Sequence, residues 1–434
     1  MSRRKIAVVI IILLLGLFLR LHNYAVYPQR GATSDEYSYS FLGVSLLTKG
    51  TPETWSNVAG YKRLYHLTIR EIYFPMVSPY FDHPPLNGLL VGGWALLNGE
   101  NTYQKIDLAT IRLVPIFLSV ISSLLVFLLG NKLFGYRAGI WALLIYSTAT
   151  IFVMNQRVVF AENLWTPLLL GALYLYISAK KMTFWKSVAL GILAGLSFWA
   201  KELGIVVFFI LFFLLVTRKE QYKYVLTFTG VCSLFFLGYM AYGYYYDWKT
   251  FTTIIFLQSG RNIGSETLHM LFFNPIIVNK PYSDGWYYVG FLTLFFSLID
   301  YKKYKMIVVP AFIYLLLIIS MLNTDTQNGW YMIPLFPFMA LSTAAFLDEY
   351  LGKKSWIIFL LLLFVALPQI SSFYKANFGL TTMQLRIILL LLFGPLLFVY
   401  MVNKERIFFF LSYAWFYLLL FFTIIATYFY IHPA

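Results

Sequence analysis

Apolar residues fall into roughly fourteen stretches, near 6–22, 86–98, 110–130, 138–155, 163–179, 187–200, 203–217, 224–246, 285–299, 306–322, 330–347, 355–370, 385–402 and 407–430. A helix needs about 20 residues to cross a bilayer, whereas runs of about 10–14 are more often interfacial or re-entrant. The run 86–98 is the weakest of the set. Pro84-Pro85 opens it, and Gly88, Gly92 and Gly93 dilute it. The pattern predicts an all-α polytopic membrane protein with about 13 transmembrane helices and one interfacial helix.

Charge sidedness supports that count. With the N-terminus inside and 86–98 in the interface, the inside connections contain Arg3, Arg4, Lys5, Lys132, Arg137, Lys180, Lys181, Lys186, Arg218, Lys219, Lys223, Lys302, Lys303, Lys305, Lys353, Lys354, Lys404 and Arg406. The short outside connections hold only Arg157, Lys201 and Lys375, with Arg386 at a span edge. This is a positive-inside pattern, and a crossing at 86–98 would invert every later loop.

Two outside regions are then large, 23–109 and about 247–284. The first carries a candidate juxtamembrane helix, 35–49, besides 86–98. The second carries Trp248, Arg261, His269 and a turn-like Asn274-Pro275. Trp286, Tyr287, Trp330 and Tyr331 mark an outer aromatic belt.

Composition narrows the class further. Hydrophobic residues make up 60% and charged residues 12%, too little polar surface for a soluble domain. The net charge of +15 is therefore a property of the inside loops and does not point to nucleic acid. A single cysteine, Cys232, excludes an intrachain disulfide and a cysteine metal site. Ala7 to Leu21 runs on without a small-residue cleavage site, so it reads as an anchor and not a signal peptide.

Candidate chemistry lies outside. On this topology Asp35, Glu36, Glu53, Glu71, Asp82, Glu100, Asp107, Glu162, Glu202, Asp247, Glu266, Asp284 and Asp325 all face that side, as do the five histidines. Ionisable groups beside lipid are costly and usually kept for a site. Asp35-Glu36 follows the first span, and Asp82-His83-Pro84-Pro85 opens the interfacial run. Arg112, Arg157, Glu162 and Lys201-Glu202 sit at span edges. The structural alternatives are plain: a helix N-cap at Asp35-Glu36, snorkelling anchors at Arg112 and Arg157, a self-paired tip at Lys201-Glu202, and belt packing at Tyr331.

Pro28 to Tyr39, with Ser34-Asp35-Glu36-Tyr37 at its centre, resembles the first-loop motif of GT-C membrane glycosyltransferases. The nearest look-alikes are the protein O-mannosyltransferase and aminoarabinose transferase group. Asp82-His83-Pro84-Pro85-Leu86 is similar to their second signature, and Leu108 to Leu113 to the arginine-bearing start of their second span. Asn131 to Arg137 resembles their inside turn. Arg157 to Asn163 resembles the second acidic motif, with Glu162 where many relatives have Asp. Ala200 to Gly204 and Trp330 to Pro337 match later signatures more weakly. The resemblance is concentrated in about 25–205. It implies a catalytic module over 1–205, including loop 23–109, followed by further helices over 206–434.

The resemblance also implies a reaction: a sugar moves from a polyprenyl-phosphate donor to an acceptor hydroxyl of a lipid, glycan or protein. The expected base is Asp35, supported by Glu36. His83, Arg112, Arg157, Lys201 and Tyr331 are expected on the donor phosphate, where cations stabilise the departing charge. Glu162 and Asp82 are expected to orient the acceptor or a metal. Relatives differ in metal use, and no motif here decides whether a divalent ion takes part. The competing reading is a transporter or flippase of lipid-linked sugars. That class places charges mid-membrane in repeated halves, and the stretches after 205 show neither.

Overall fold

The computed structural model describes residues 2–69, 72–259, 271–272, 275–321 and 329–433. Glu71, Arg261, Glu266, His269, Asn274 and Asp325 lie outside these residues. Each apolar stretch of the sequence has become helix. Among the described residues seven helices are long and apolar enough to cross a membrane, with four shorter apolar ones, Leu86–Leu97, Phe184–Ala200, Glu202–Thr217 and Gly285–Phe296. The expected thirteen crossings exceed those seven. One buried apolar cluster extends from Leu19 to Tyr430, so residues before and after 205 share a core.

The chain opens with α1 (Arg3–Leu21), which leads through a loop to α2 (Asp35–Lys49). Next comes a small sheet that the apolar pattern did not announce. Strands β1 (Thr54–Trp55), β2 (Arg63–Ile69) and β3 (Ile72–Val77) pair antiparallel in the order β1-β3-β2. Its segments are short and rich in aromatic and branched residues, a composition that suits a pleated surface but is too brief to stand out among long helical runs.

The sheet leads into α3 (Leu86–Leu97). The glycines that weaken this run as a membrane span have a packing purpose. A Cβ at Gly43 of α2 would lie 1.9 Å from the Gly88 carbonyl oxygen, and one at Gly92 would lie 2.5 Å from the Val44 nitrogen. Without side chains there, the backbones of α2 and α3 meet directly. That contact fixes the start of α2, and with it Asp35 and Glu36.

A helical turn, Leu108–Ile111, passes through Arg112 into α4 (Leu113–Phe134). Then follow α5 (Tyr136–Thr148), α6 (Thr150–Asn155), α7 (Ala161–Ser178), α8 (Phe184–Ala200) and α9 (Val206–Thr217). The next helix, α10 (Tyr222–Ser259), runs well past the expected 224–246. The reason is Asp247, where the helix breaks with φ −171° and ψ 97°. Its carboxylate accepts from the Thr250 N–H (3.1 Å) and hydroxyl (2.6 Å), capping a new helical segment where the polarity suggested a loop.

Beyond α10, a two-stranded hairpin (Ile276–Ile277 with Lys280–Pro281) precedes α11 (Gly285–Phe296). Buried Asp284 receives the backbone N–H of Ile151 (3.0 Å) and of Trp286 (2.8 Å), so one carboxylate joins the starts of α6 and α11. The C-terminal tail returns to the first loop. Gln29 donates to the His432 carbonyl, and the His432 Nε2 lies 2.9 Å from the Asn279 amide oxygen.

Candidate active site

Two charged centres gather at the end of the bundle that carries α2. The first is built on Glu36, in the first turn of α2. Its carboxylate takes the Arg112 guanidinium in a two-pronged contact (Nε–Oε1 2.9 Å, Nη2–Oε2 2.7 Å) and the Val159 N–H at 3.1 Å. Arg112 Nη1 donates to the Tyr24 and Pro28 carbonyls, at 2.7 and 2.8 Å. Both side chains are sealed, 0% exposed for Arg112 and 1% for Glu36. Four of the arginine's five N–H groups are thus committed to protein. The expectation of a phosphate ligand at Arg112 and of a helper to the base at Glu36 does not fit this geometry. Together they form a clamp joining the first loop, α2, the start of α4 and loop 156–160.

The second centre lines a cavity of about 270 Å³ whose walls include Asp82, His83, Lys201, Glu202, Gln258 and Tyr331. Lys201 Nζ lies 2.6 Å from Glu162 Oε1 and 4.6 Å from the centre of the Tyr331 ring. Burial lowers the ammonium's pKa, but Glu162 and Tyr331 outweigh it and raise the net value, so Lys201 stays charged. The second Glu162 oxygen, Oε2, is buried with no hydrogen-bond partner among the described residues. Glu202 turns away from its neighbour and reaches His83 (Nδ1–Oε2 3.3 Å). The hairpin tip is therefore not self-paired.

Asp82 anchors the cavity to the small sheet. Its oxygens accept from the Ser56 hydroxyl (2.5 Å) and the Tyr61 hydroxyl (2.8 Å), while Tyr61 also accepts the Phe81 N–H (2.6 Å). Burial raises the Asp82 pKa against the pull of those two donors. Ser56 and Tyr61 went unnoticed in the sequence because they lie in a loop with no periodicity. Among the described residues no three His, Cys, Asp or Glu side chains converge to hold a metal ion.

Tyr39 of α2 adjoins the second centre. It sits one helical turn after Asp35, and its ring stacks on His83 at 5.4 Å and 22°. Its hydroxyl is held protonated, first by burial and then by the charges of Glu162 and Asp35, with Glu202 also contributing. Asp35 itself is half-buried, with its N–H on the Thr33 hydroxyl at 3.2 Å. Tyr39 thus stacks on His83 and feels the charges of Glu162, Asp35 and Glu202, although in the sequence it stands within a motif with no role of its own.

Arg157 is placed apart, and it does not line the cavity. It donates to the Leu19 carbonyl, and its Nε is buried without a partner among the described residues. Burial, then the charges of Arg20 and Arg112, pull its pKa down to about 9. Arg20, unremarked in the sequence, is spread over the Gln156 side chain and the Gly16, Tyr146 and Ser147 carbonyls.

Comparison with known proteins bears on this arrangement. The structure is similar to that of ArnT from Cupriavidus metallidurans bound to undecaprenyl phosphate, with a TM-score of 0.60 and 13% identity. That match covers 99% of this chain and 77% of ArnT. The fold is GT-C. A second GT-C structure, oligosaccharyltransferase AglB from Archaeoglobus fulgidus with an inhibitory peptide and a dolichol-phosphate, matches with a TM-score of 0.52 and 12% identity. It covers 95% of this chain and 56% of AglB. Residues 82–242 match the family described as dolichyl-phosphate-mannose-protein mannosyltransferase. An uncharacterized protein of Aquifex aeolicus is 25% identical over 271 residues, 60% of this chain. The chain spans about half, 53%, of that relative's length. With its apolar helices, this GT-C chain is a membrane protein that resembles the protein O-mannosyltransferase and aminoarabinose transferase-like group.

Proposed function

We propose that the protein is a membrane glycosyltransferase acting at the outer face, with its N-terminus cytoplasmic. It takes a sugar from a polyprenyl-phosphate carrier and places it on an acceptor hydroxyl. The observation that carries this reading is a cavity at the bundle end lined by His83 and Lys201, with Glu162 bound to Lys201 and Tyr39, one turn after Asp35, stacked on His83. The positive-inside pattern supports the outer placement.

In this reading Asp35 accepts the acceptor's hydroxyl proton as the new C–O bond forms at the anomeric carbon. The bond from that carbon to the phosphate oxygen breaks, and its electron pair leaves on the polyprenyl phosphate. One displacement inverts the anomeric configuration. Lys201, held charged by Glu162, and His83 face the departing phosphate, with Tyr331 beside them. The clamp of Glu36 and Arg112 holds Asp35 in place and does not touch substrate. Residues 1–205 supply most of this machinery, while Gln258 and Tyr331 bring in the later helices.

Asp35→Asn tests the assignment. Transfer from a polyprenyl-phosphate sugar in proteoliposomes should fall below detection, while membrane insertion and thermal stability in detergent are retained. Turnover at the original rate would remove Asp35 as the base.

A further inference from the structure

Glu202 shares the cavity wall with His83. It follows Lys201, whose extended backbone (φ −161°, ψ 148°) sends neighbouring side chains to opposite sides. The Lys201 ammonium turns inward to Glu162. Glu202 opens a short helical turn, Glu202–Ile205, stays 39% exposed and reaches His83. Two adjacent ionisable side chains therefore serve different partners.

Three sets of contacts constrain the His83 ring. Tyr39 stacks on one face at 5.4 Å and 22°. The backbone is held on either side, by Asp82 bonded to Ser56 and Tyr61 and by the fixed ring of Pro84. Glu202 Oε2 supplies the third contact, 3.3 Å from Nδ1. A carboxylate only accepts hydrogen bonds, so Nδ1 is the donor and carries a proton. Among the described residues no hydrogen bond to protein takes up Nε2. That nitrogen is left for the cavity that His83 lines.

A free neutral imidazole carries its proton mainly on Nε2, and a hydrogen-bond acceptor at Nδ1 reverses that choice. We infer that Glu202 is a positioning residue: it fixes His83 through Nδ1–H and so presents Nε2 as the atom that meets the carrier's phosphate. A proton carried on Nε2 is then aimed at the phosphate oxygen that gathers charge as the sugar–phosphate bond breaks, while Nδ1–H stays on Glu202. So exposed a pair adds little to stability, because water screens it. Its effect is on the orientation of the ring. The contact with phosphate rests on the transferase reading; the hold of Glu202 on His83 does not.

The test is ring-nitrogen NMR of the full chain, labelled at histidine and held in detergent, with His83 identified by its loss in His83→Gln. At about pH 9, where an ordinary histidine ring is neutral, His83 of the parent protein should carry its proton on Nδ1. Glu202→Ala should move that proton to Nε2. Glu202→Met, closer to glutamate in size, serves where the alanine variant fails to fold. At about pH 7, farnesyl phosphate should shift the Nε2 resonance of the parent more than the Nδ1 one. In transfer assays Glu202→Ala should lower kcat by about tenfold with KM little changed, as expected for a charge-assisted bond made while the phosphate leaves. A parent proton on Nε2, a tautomer indifferent to both Glu202 variants, a phosphate response confined to Nδ1, or an unchanged kcat would overturn the proposal. Should the tautomer depend on Glu202 while the parent transfers no sugar, the transferase reading alone falls.

Discussion

Two side-chain pairs at one end of this bundle, each with a carboxylate, serve opposite ends. In the Glu36–Arg112 pair the side chains are at most 1% exposed, and nearly every donor and acceptor meets protein. In the His83–Glu202 pair the partners are 23% and 39% exposed, at 3.3 Å, on the wall of a cavity. Lys201–Glu162 lies between them: buried, yet with one carboxylate oxygen unmatched and the ammonium facing the same cavity. A charge that is fully matched by protein can hold a fold but has nothing left for a substrate. A charge left partly unmatched beside open space can meet one.

The largest effect should come from breaking the sealed pair. Arg112→Ala leaves Glu36 buried without its cation, which costs about 3–5 kcal/mol in comparable sites. Most of the protein should then be lost on solubilisation, as read by size-exclusion fluorescence. A stable Arg112→Ala protein that merely binds donor more weakly would return Arg112 to the substrate. Replacing both partners, Glu36→Gln with Arg112→Met, should recover stability and part of the activity.

Lys201→Met addresses the cavity. On the transferase reading, where Lys201 faces the departing phosphate, its removal should lower kcat by about 10²–10³-fold. Adding Glu162→Gln should restore any lost stability but not the rate. Recovery of rate in that double variant would make this pair a second structural clamp, and the contrast drawn here would fail.

A smaller effect sharpens the role of the tail. Burial, then the charges of Lys280 and Arg112, lower the His432 pKa from 6.5 to about 4. Between those values the unfolded chain carries a proton that the folded one rejects. Stability should therefore fall as pH drops through that window. His432→Gln should flatten the fall, seen by comparing thermal midpoints near pH 7 and pH 5. An unchanged slope would mean the tail does not seal this end of the molecule.

Much of the candidate site was legible along the chain because charged residues at span edges are costly beside lipid, which makes accidental charge there rare. Asp35, His83, Glu162 and Lys201 stand out as candidates that way. Their partners were not. Arg112 and Lys201 carry the same charge at similar edges, and no spacing rule says that one meets Glu36 inside protein while the other faces a cavity. Ser56, Tyr61 and Tyr39 were missed because a hydroxyl in a loop, or a tyrosine among thirty-four, has no signature until its neighbours are known.

Hydrophobic periodicity and charge asymmetry are properties of neighbouring residues, so helix positions and the clustering of acids could be read in one dimension. Which charge neutralises which depends on contacts across tens or hundreds of positions, as between Glu36 and Arg112 or Gln29 and His432. Those pairings arise only when glycine-lined helices close together and the tail folds back, and they separate a sealed clamp from charges that line an open cavity.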